Sequence, residues 1–516
     1  MRAIISVFDK TDVVPLAEGL AGLGVELFST SKTKKIIEEA GVDVYDVSQI
    51  TGFPEILDGR VKTLHPHVFA GILARRDKGS HVAQMQQRAL NFIDIVVCNL
   101  YPFEQTIAKP GVELDEALEM IDIGGPSMVR AAAKNFADVL VLVNPKRYMD
   151  VLLELSQLGS VSIETRKLLA TEAFQHTAYY DSVVAHYLSK GNPTLFPAEL
   201  TIGLRKVQDL RYGENPHQKA AFYSDGLPAG LSAMTQHQGK ELSFTNILDV
   251  EAALRFVCAA VQPTVAIIKH VNPCGVAERQ SALEAFKAAQ GSDPLSAYGG
   301  IIGVNKEVDA AFAEEITKTF FEVVAAPSFT TDALEVFKKK EKLRVLEMTD
   351  WKSLGRSGDG VCFPQDFDVR KVRGGMLVQT VDPVSDDSTL FEVISKRKPT
   401  DKEMADLLFA WNIVGHVKSN AVVFTKQKAV VGIGAGQMSR VVSVEIAVKK
   451  AGEHAQGSVM ASDAFFPFAD GVEVAAKAGV TAVIHPGGSI RDGEVVAMAD
   501  RYDMAMVRTN VRHFLH

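Results

Sequence analysis

Lys269 and His270 set a fixed positive charge beside an acid/base at the end of an apolar run, Val265-Ala266-Ile267-Ile268. A histidine exchanges its proton near neutral pH, with an unperturbed pKa of ~6.5. Asn272-Pro273 and then Gly275 follow as a turn signal. The pattern reads as a buried strand delivering both side chains to a loop, where chemistry is commonly carried. An isolated pair of this kind would be a surface lysine beside a packed histidine. This pair has company. Arg211-Tyr212-Gly213-Glu214-Asn215-Pro216-His217-Gln218 lies upstream, and Lys418-Ser419-Asn420-Ala421 and Ser462-Asp463-Ala464-Phe465-Phe466-Pro467-Phe468 lie downstream. Arg211 and Tyr212 combine a fork of donors with an aromatic face, as an anion clamp beside a flat slot requires. The segment Thr509-Asn510-Val511-Arg512-His513-Phe514-Leu515-His516 repeats that combination. On an extended strand Arg512, Phe514 and His516 share one face, leaving Val511 and Leu515 to pack inward.

A second constellation occupies the first third. It comprises Thr51-Gly52-Phe53-Pro54-Glu55-Ile56-Leu57-Asp58-Gly59-Arg60-Val61-Lys62-Thr63-Leu64-His65-Pro66, then Asn99-Leu100-Tyr101-Pro102-Phe103, then Ile121-Asp122-Ile123-Gly124-Gly125 with Ala133-Lys134-Asn135. Asp122 is a candidate base or amide acceptor, with glycines that permit close approach. Lys62, Tyr101 and Lys134 are candidate donors. Taken alone, Lys134 after Ala131-Ala132-Ala133 would be a solvated helix lysine.

The elements that must position these groups alternate between strand and helix. Ala3–Phe8 reads as a strand, with Asp9 as the N-cap of a helix through Leu23. Val25–Ser29 is the next strand, and Lys34–Ala40 a helix stopped by Gly41. Ile93–Asn99 and Val139–Val143 are continuous apolar strands, and helical pattern runs from about Pro145 to Leu188. Such strands between helices imply a parallel sheet covered on both faces. Ser189-Lys190-Gly191-Asn192-Pro193-Thr194-Leu195-Phe196-Pro197 is the best linker, and a second break lies near Val381–Thr400. No sequence repeat is evident.

Length, charge and cysteines bound the class. The 516 residues suffice for three or four domains, and 47% hydrophobic with 23% charged content is that of a soluble globular protein. A net charge of −8 argues against a nucleic-acid surface, though not against a small basic nucleotide pocket. Cys98, Cys258, Cys274 and Cys362 are too scattered for metal-ligand spacing or a disulfide framework. The start of the chain lacks a signal-peptide apolar region, and no run approaches the ~20 residues of a membrane span. The expectation is a cytoplasmic protein with no metal and no membrane partner.

Taken together, the motifs resemble the bifunctional family that joins AICAR (aminoimidazole carboxamide ribonucleotide) transformylase to IMP cyclohydrolase. The likeness spans essentially all of residues 200–516 and the first ~195. It implies an α/β fold: a methylglyoxal-synthase-like doubly wound parallel sheet over 1–195, and a transformylase region over 196–516. The latter would comprise two cytidine-deaminase-like α/β subdomains, about 200–385 and 386–516. The implied reactions are formyl transfer from 10-formyltetrahydrofolate to AICAR, then dehydrative ring closure to IMP. The aromatic amine of AICAR is a poor nucleophile, so the site must orient it, remove a proton and stabilise an oxyanion. Family catalytic residues match at Lys269, His270 and Asn420, whose amide can hydrogen-bond the formyl oxygen. Those of the cyclohydrolase match at Lys62, Tyr101, Asp122 and Lys134.

For the transformylase nucleotide, the resemblance implies Arg211, Tyr212, Gly299, Glu322, Arg512, Phe514 and His516. For the folate it implies Arg440, Phe465, Pro467 and Asp470. The cyclohydrolase nucleotide would meet Ser6, Lys10, Arg60 and the loop Thr30-Ser31-Lys32-Thr33. That loop departs from the family's Ser/Thr-Gly-Gly-Thr. Any position needing positive φ now costs energy, while Lys32 adds a charge for phosphate. Folate would be a cosubstrate, with no tightly bound cofactor, and a homodimer would form the transformylase site across its interface.

Other readings fare less well. Gly432-Ile433-Gly434-Ala435-Gly436 imitates a dinucleotide loop but reads as a tight turn, without a nicotinamide cofactor. Phe465-Phe466-Pro467-Phe468 by itself would be core. A zinc base deaminase needs His-x-Glu before Pro-Cys-x-x-Cys, and Pro273-Cys274 has neither. A nucleotide-binding regulator with an inactive first domain is opposed by the presence of Lys62, Tyr101, Asp122 and Lys134.

Overall fold

β1 (Arg2–Ser6), β2 (Glu26–Ser29), β3 (Tyr45–Asp46), β4 (Ile95–Cys98) and β5 (Leu140–Leu142) form a parallel sheet in the order β3-β2-β1-β4-β5. This is a computed structural model; it describes residues 1–109, 111–189, 194–226, 230–348, 367–384 and 390–516. The chain divides into two compact units, Met1–Leu204 and Arg205–His516. Of the linker expected from the sequence, positions 190–193 lie outside the described residues.

In unit 1 the side chains of each strand alternate between two cores. Ile4, Phe28, Val96 and Val141 enter one, and Ala3, Ile5, Leu27, Val97, Leu140 and Leu142 enter the other. Both faces are covered, which is why these strands read as unbroken apolar runs. The order of connection reverses between β1 and β4, and open sheets of this kind place their crevice at the carboxyl ends of the strands. Asn99 ties that end together: its Oδ1 accepts from the N–H of Phe8 at 2.6 Å and of Asp9 at 2.9 Å.

Asp9 is not the helix cap. Its carboxylate closes a local turn on the N–H and hydroxyl of Thr11, and the helix begins four residues later, as Val13–Gly22. The next helix begins earlier than the apolar pattern suggests, as Ser31–Glu39, so Thr30 and Ser31 sit at its N-terminus. The long helical stretch breaks at Gly159, which adopts φ 69°, into Tyr148–Leu158 and Ile163–Ser189.

Unit 2 opens with the hairpin β6 (Arg205–Leu210) and β7 (Ala220–Ser224). Then come β8 (Thr235–Gln238), β9 (Thr264–Lys269), β10 (Asn272–Glu278), β11 (Ile301–Val304), β12 (Val323–Ala326) and β13 (Arg344–Glu347). A second hairpin, β14 (Phe367–Val372) and β15 (Gly375–Thr380), precedes β16 (Glu392–Val393), β17 (Val422–Lys426), β18 (Ala429–Gly434), β19 (Val459–Ser462), β20 (Ala482–His485) and β21 (Ala505–Arg508). Twelve of these strands make one mixed sheet, β16-β21-β20-β19-β17-β18-β10-β9-β11-β12-β13-β8. Of the second expected break, positions 385–389 lie outside the described residues.

The sheet is an internal duplication that the sequence does not reveal. β10-β9-β11-β12-β13 and β18-β17-β19-β20-β21 share order and direction: a hairpin, one antiparallel neighbour, then two parallel strands. A 14-residue helix with a capping box precedes each hairpin, Phe244–Val257 after Ser243 and Asp401–Val414 after Thr400. Each hairpin's second strand carries a bulge at the same place, after Pro273 and after Val430. The halves join where Ala277 of β10 faces Ala429 of β18. One apolar core spans the seam, with Val257, Ile268 and Val276 from one half and Leu407, Trp411 and Val423 from the other.

The bulges bring a helix onto the sheet at a glycine. A Cβ on Gly275 would lie 1.9 Å from the Ala289 carbonyl oxygen, and one on Gly432 would lie 2.3 Å from that of Ala447. Gly275→Ala and Gly432→Ala should therefore each destabilise unit 2 by ~1–3 kcal/mol, the usual cost of overpacking. Urea unfolding would show a lower midpoint at unchanged slope; unchanged midpoints would mean the helices yield freely.

Candidate functional site

Unit 1 gathers its sequence-selected residues at the carboxyl ends of β1, β2 and β4. Ser6 Oγ lies 3.0 Å from Thr30 Oγ1. Lys10 Nζ donates to Thr33 Oγ1 at 3.0 Å and to the Val7 carbonyl. Burial lowers the Lys10 pKa, and the exposed Lys32 ammonium nearby lowers it further. Two cations that repel one another at a helix N-terminus form an anion site. Ser31 adopts φ 29° without being glycine, so the strain expected from the altered loop is present at this residue.

The loop also reaches the Thr51–Pro66 motif. Ser31 Oγ donates to Glu55 Oε2 at 2.7 Å, and Lys62 Nζ lies 3.0 Å from Glu55 Oε1 and 3.3 Å from Ser31 Oγ. Asp122 Oδ1 accepts from the Gly125 N–H at 2.8 Å. Burial raises the Asp122 pKa, against the pull of peptide N–H groups from Gly125, Tyr101 and Gly124 and of the Lys62 charge. Lys62, Tyr101 and Asp122 are thus brought together. Arg60 is exposed on the surface and paired with Glu119.

Lys134 is set apart from this group. It ends the 11-residue helix Gly124–Lys134, whose first residues adjoin Asp122, so ~16 Å of helix intervenes. There it lines an apolar cleft with Phe69, Phe136, Phe174 and Lys167. Two residues at the Asp122 site escaped the sequence reading. Glu55 holds Lys62, and the hydroxyl of Tyr180 accepts from the Asp122 N–H at 2.8 Å.

In unit 2 the strand that delivers Lys269 and His270 is β9, which ends at Lys269 and is buried from Thr264 to Ile268. The turn is not where the sequence signals it. His270 (φ 55°) and Val271 (φ 63°) make it, while Asn272 and Pro273 already belong to β10. Asp249 accounts for the shift: its carboxylate accepts from the Val271 N–H at 2.6 Å and the His270 N–H at 3.3 Å. Pro273 is tolerated in the strand because the bulge adjoins it.

Cross-strand pairing lines up the remaining candidates. Ile268 faces Ile301, Ile301 faces Val323, and Val323 faces Arg344. Lys269, Gly299, Glu322 and Arg344 therefore follow one another along a single edge of the sheet. Lys269 Nζ donates to the Tyr298 carbonyl at 2.9 Å, and Gly299 adopts φ 74°. Glu322 Oε2 accepts from Asn246 Nδ2 at 2.9 Å and stands 3.9 Å from the Arg344 guanidinium. Arg211 stacks 5.4 Å over the Tyr212 ring, and burial lowers the Arg344 pKa, opposed by Glu322 and Tyr212 and helped by the Arg211 charge. Asp249, Asn246 and Arg344 were missed; the available signal was an acid six residues after a helix cap, Ser243…Asp249, recurring as Thr400…Asp406.

A cleft of about 270 Å³ opens beside this edge, between Lys269, His270 and Cys274 on one wall and Val431, Ala435 and Lys450 on the other. Burial pushes the Cys274 pKa up to about 11, so it is a neutral thiol at pH 7. No group of three His, Cys, Asp or Glu side chains that could hold a metal ion occurs among the described residues. Nor is any helix among them long and apolar enough to cross a membrane.

Asn420 and residues 512–516 form a second cluster, which shares no hydrogen bond with Lys269 or His270 among the described residues. Asn420 Nδ2 donates to the Gln437 carbonyl at 2.8 Å, and its Oδ1 accepts from Arg440 at 2.7 Å. Arg440 is buried, and its guanidinium is engaged by Asp463 at 2.5 Å and Ser462 at 2.7 Å. It stands behind Asn420 rather than facing outward as a folate contact would. Phe465, Pro467 and Asp470 are exposed, whereas Phe466 alone of the aromatic run is buried. Arg512, Phe514 and His516 do share a face, with the guanidinium 4.4 Å over Phe514 and that ring 5.7 Å from His516. The inward anchor is His513 rather than Val511. His513 packs on Trp411 and bonds Asp382 at 2.8 Å, a polar partnership that a hydrophobic alternation cannot reveal. Ser419 and Leu515 exchange hydrogen bonds that pin the segment.

A family model described as AICARFT/IMPCHase bienzyme matches residues 132–450, and one described as MGS-like domain matches residues 12–127. Proteins named bifunctional purine biosynthesis protein PurH align along the whole chain. That of Listeria monocytogenes is 49% identical over 517 residues, covering 100% of both chains. That of Bacillus cereus is 50% identical, covering 100% of this chain and 99% of its own, and that of Desulfitobacterium hafniense is 50% identical over 524 residues with the same coverage.

The buried Asp122 carboxyl should titrate above the ordinary aspartate value of ~3.9. A group with a raised pKa loses its charge while pH is still above the usual carboxylate range, so any reaction needing the carboxylate falls off early on the acid side. Carbon-13 NMR of the labelled carboxyl would report the midpoint; a value at or below the ordinary one would contradict the burial argument.

Proposed function

The chain belongs to the AICARFT/IMPCHase bienzyme family, a bifunctional enzyme of purine synthesis with AICAR formyltransferase and IMP cyclohydrolase activities, and we propose that its two units divide the work. Unit 2 transfers the formyl group and unit 1 closes the ring. The carrying observation is the single sheet edge that gathers Lys269, Gly299, Glu322 and Arg344 beside Arg211 and Tyr212. Such an edge offers a charged clamp, an aromatic slot and an acid/base within one nucleotide's reach.

In the transfer step the AICAR amine attacks the formyl carbon of 10-formyltetrahydrofolate, the cosubstrate. His270 takes the amine proton and returns it to N10 as the tetrahedral adduct collapses, the bond between the formyl carbon and N10 breaking and tetrahydrofolate leaving. Lys269 and the Asn420 amide stabilise the tetrahedral oxyanion; Arg440 holds the Asn420 carbonyl and the Gln437 carbonyl takes one amide hydrogen, which leaves the other for the oxyanion. Phe465, Pro467 and Asp470 offer an exposed surface to the folate. This reading includes a cytoplasmic homodimer in which a second copy completes the constellation, bringing Asn420 and residues 512–516, which share no hydrogen bond with Lys269 or His270 among the described residues, to the Lys269 edge. Sedimentation at working concentration tests it.

In unit 1, Ser6, Lys10 and the Thr30–Thr33 loop hold the phosphate of the formylated nucleotide. Asp122 accepts the carboxamide N–H as that nitrogen attacks the formyl carbon, and Lys62 and Tyr101 assist the departing water. Lys134 stands at the far end of its helix, in the cleft with Phe69 and Phe174.

Lys269→Ala or His270→Ala should lower formyl transfer by ~10²–10⁴-fold and leave cyclisation near wild type. Absorbance turnover with each substrate separates the two, and equal loss of both would assign these residues to folding. Lys32→Ala should raise the Michaelis constant of the cyclisation substrate more than it lowers kcat, because its role is ground-state charge pairing. An unchanged constant would mean Lys32 serves solvent alone.

A further inference from the structure

The duplication supplies a comparison inside one molecule. In the first half, the Asp249 carboxylate accepts from the N–H groups of His270 and Val271, both in the left-handed region. In the second half, the Asp406 carboxylate accepts from the N–H groups of Gln427 at 2.8 Å and Lys428 at 2.6 Å, also both left-handed at φ 52° and 50°. Each aspartate stands six residues after its helix cap, Ser243 or Thr400. The backbone device is the same; the side chains differ.

In the second turn every cation is consumed by protein. Lys426 donates to the Gln456 carbonyl at 2.8 Å, Lys428 pairs with Glu278 at 2.5 Å, and Arg279 covers the carbonyls of Gln427 and Lys428. In the first turn the His270 side chain is exposed and lines the cleft. Two consecutive non-glycine residues at positive φ, one of them β-branched, cost of order 1–3 kcal/mol each and persist only when the surroundings over-determine them. Asp249 is the group that does so.

We propose that Asp249 is a positioning residue for formyl transfer: it holds the His270–Val271 turn so that the imidazole stands over the cleft, while Asp406 is its duplicate with a purely structural duty. The proposal rests on the reading of His270 as the proton acceptor. Asp249 touches no reacting atom, so its removal misplaces the base rather than deleting it. A misplacement of about 1 Å costs up to ~10²-fold in rate.

Steady-state formyl transfer by the full chain, with AICAR and 10-formyltetrahydrofolate, tests this in Asp249→Asn, Asp406→Asn and His270→Ala. Asp249→Asn should lower kcat by ~10–100-fold with KM for AICAR within about two-fold, the signature of transition-state placement. Asp406→Asn should keep kcat within about two-fold while losing a comparable amount of Tm. Should Asp249→Asn fail to fold, Asp249→Glu, which keeps the charge but lengthens the arm, carries the same comparison. Equal effects of the two aspartates on kcat, or an Asp249 effect confined to KM, overturn the proposal. Full activity in His270→Ala would instead overturn the reading of the site, whatever Asp249 does.

Discussion

Two peptide N–H groups aimed at one half-buried carboxylate fix the geometry from which the catalytic edge of unit 2 follows. Hydrogen bonds to a charged group contribute ~1.5–3 kcal/mol each, comparable to the cost of the two left-handed residues they hold. The balance explains how His270 and Val271 occupy a conformation that glycine or asparagine would adopt more readily. It also sets the register. With the turn at 270–271, Lys269 is the last residue of β9 and falls in line with Gly299 and Glu322. A turn at Asn272-Pro273 would slide β10 by four residues against β9 and draw the glycine that admits the Ala289 helix away from its place.

Unit 1 solves a similar problem by opposing burial to peptide donors. Asp122 is held between burial, which opposes its charge, and a set of peptide donors with Lys62, which favour it. The outcome is a carboxylate with more basicity than one in water, without a histidine in the cluster. The phosphate loop keeps one strained residue, Ser31, whose hydroxyl reaches Glu55. That contact ties the anion end of the crevice to the end where bonds change.

The sequence made the strands legible because both faces of each sheet are covered, so Ile93–Asn99 and Val265–Ile268 are apolar without alternation. Lys269 and His270 were legible as residues but not as geometry. Asn272-Pro273 is the stronger local turn signal, and it lost to a carboxylate twenty-odd positions away. Asp9 failed as a cap for the opposite reason, since a nearer partner, Thr11, took its carboxylate. Lys134 lies in a block that adjoins Asp122 in sequence, yet a helix carries it to the opposite end. The duplication was hidden because the two halves share caps, bulges and turn conformations rather than residue types. His270-Val271 and Gln427-Lys428 have nothing in common except backbone angles and an aspartate.

The seam at Ala277 and Ala429 decides how the protein meets its neighbours in a crowded solution. A strand edge invites pairing with other chains, and proteins keep such edges short, polar or covered. The fused sheet exposes two: β8, four residues reading Thr-Gln-His-Gln, and β16, two residues long. Were the halves separate bodies, β10 and β18 would add two more, carrying Val276, Ala277, Ala429 and Val430, all of them buried in this structure. Joining the copies therefore removes the stickiest strands from view, and cutting unit 2 between them would yield two pieces prone to aggregate.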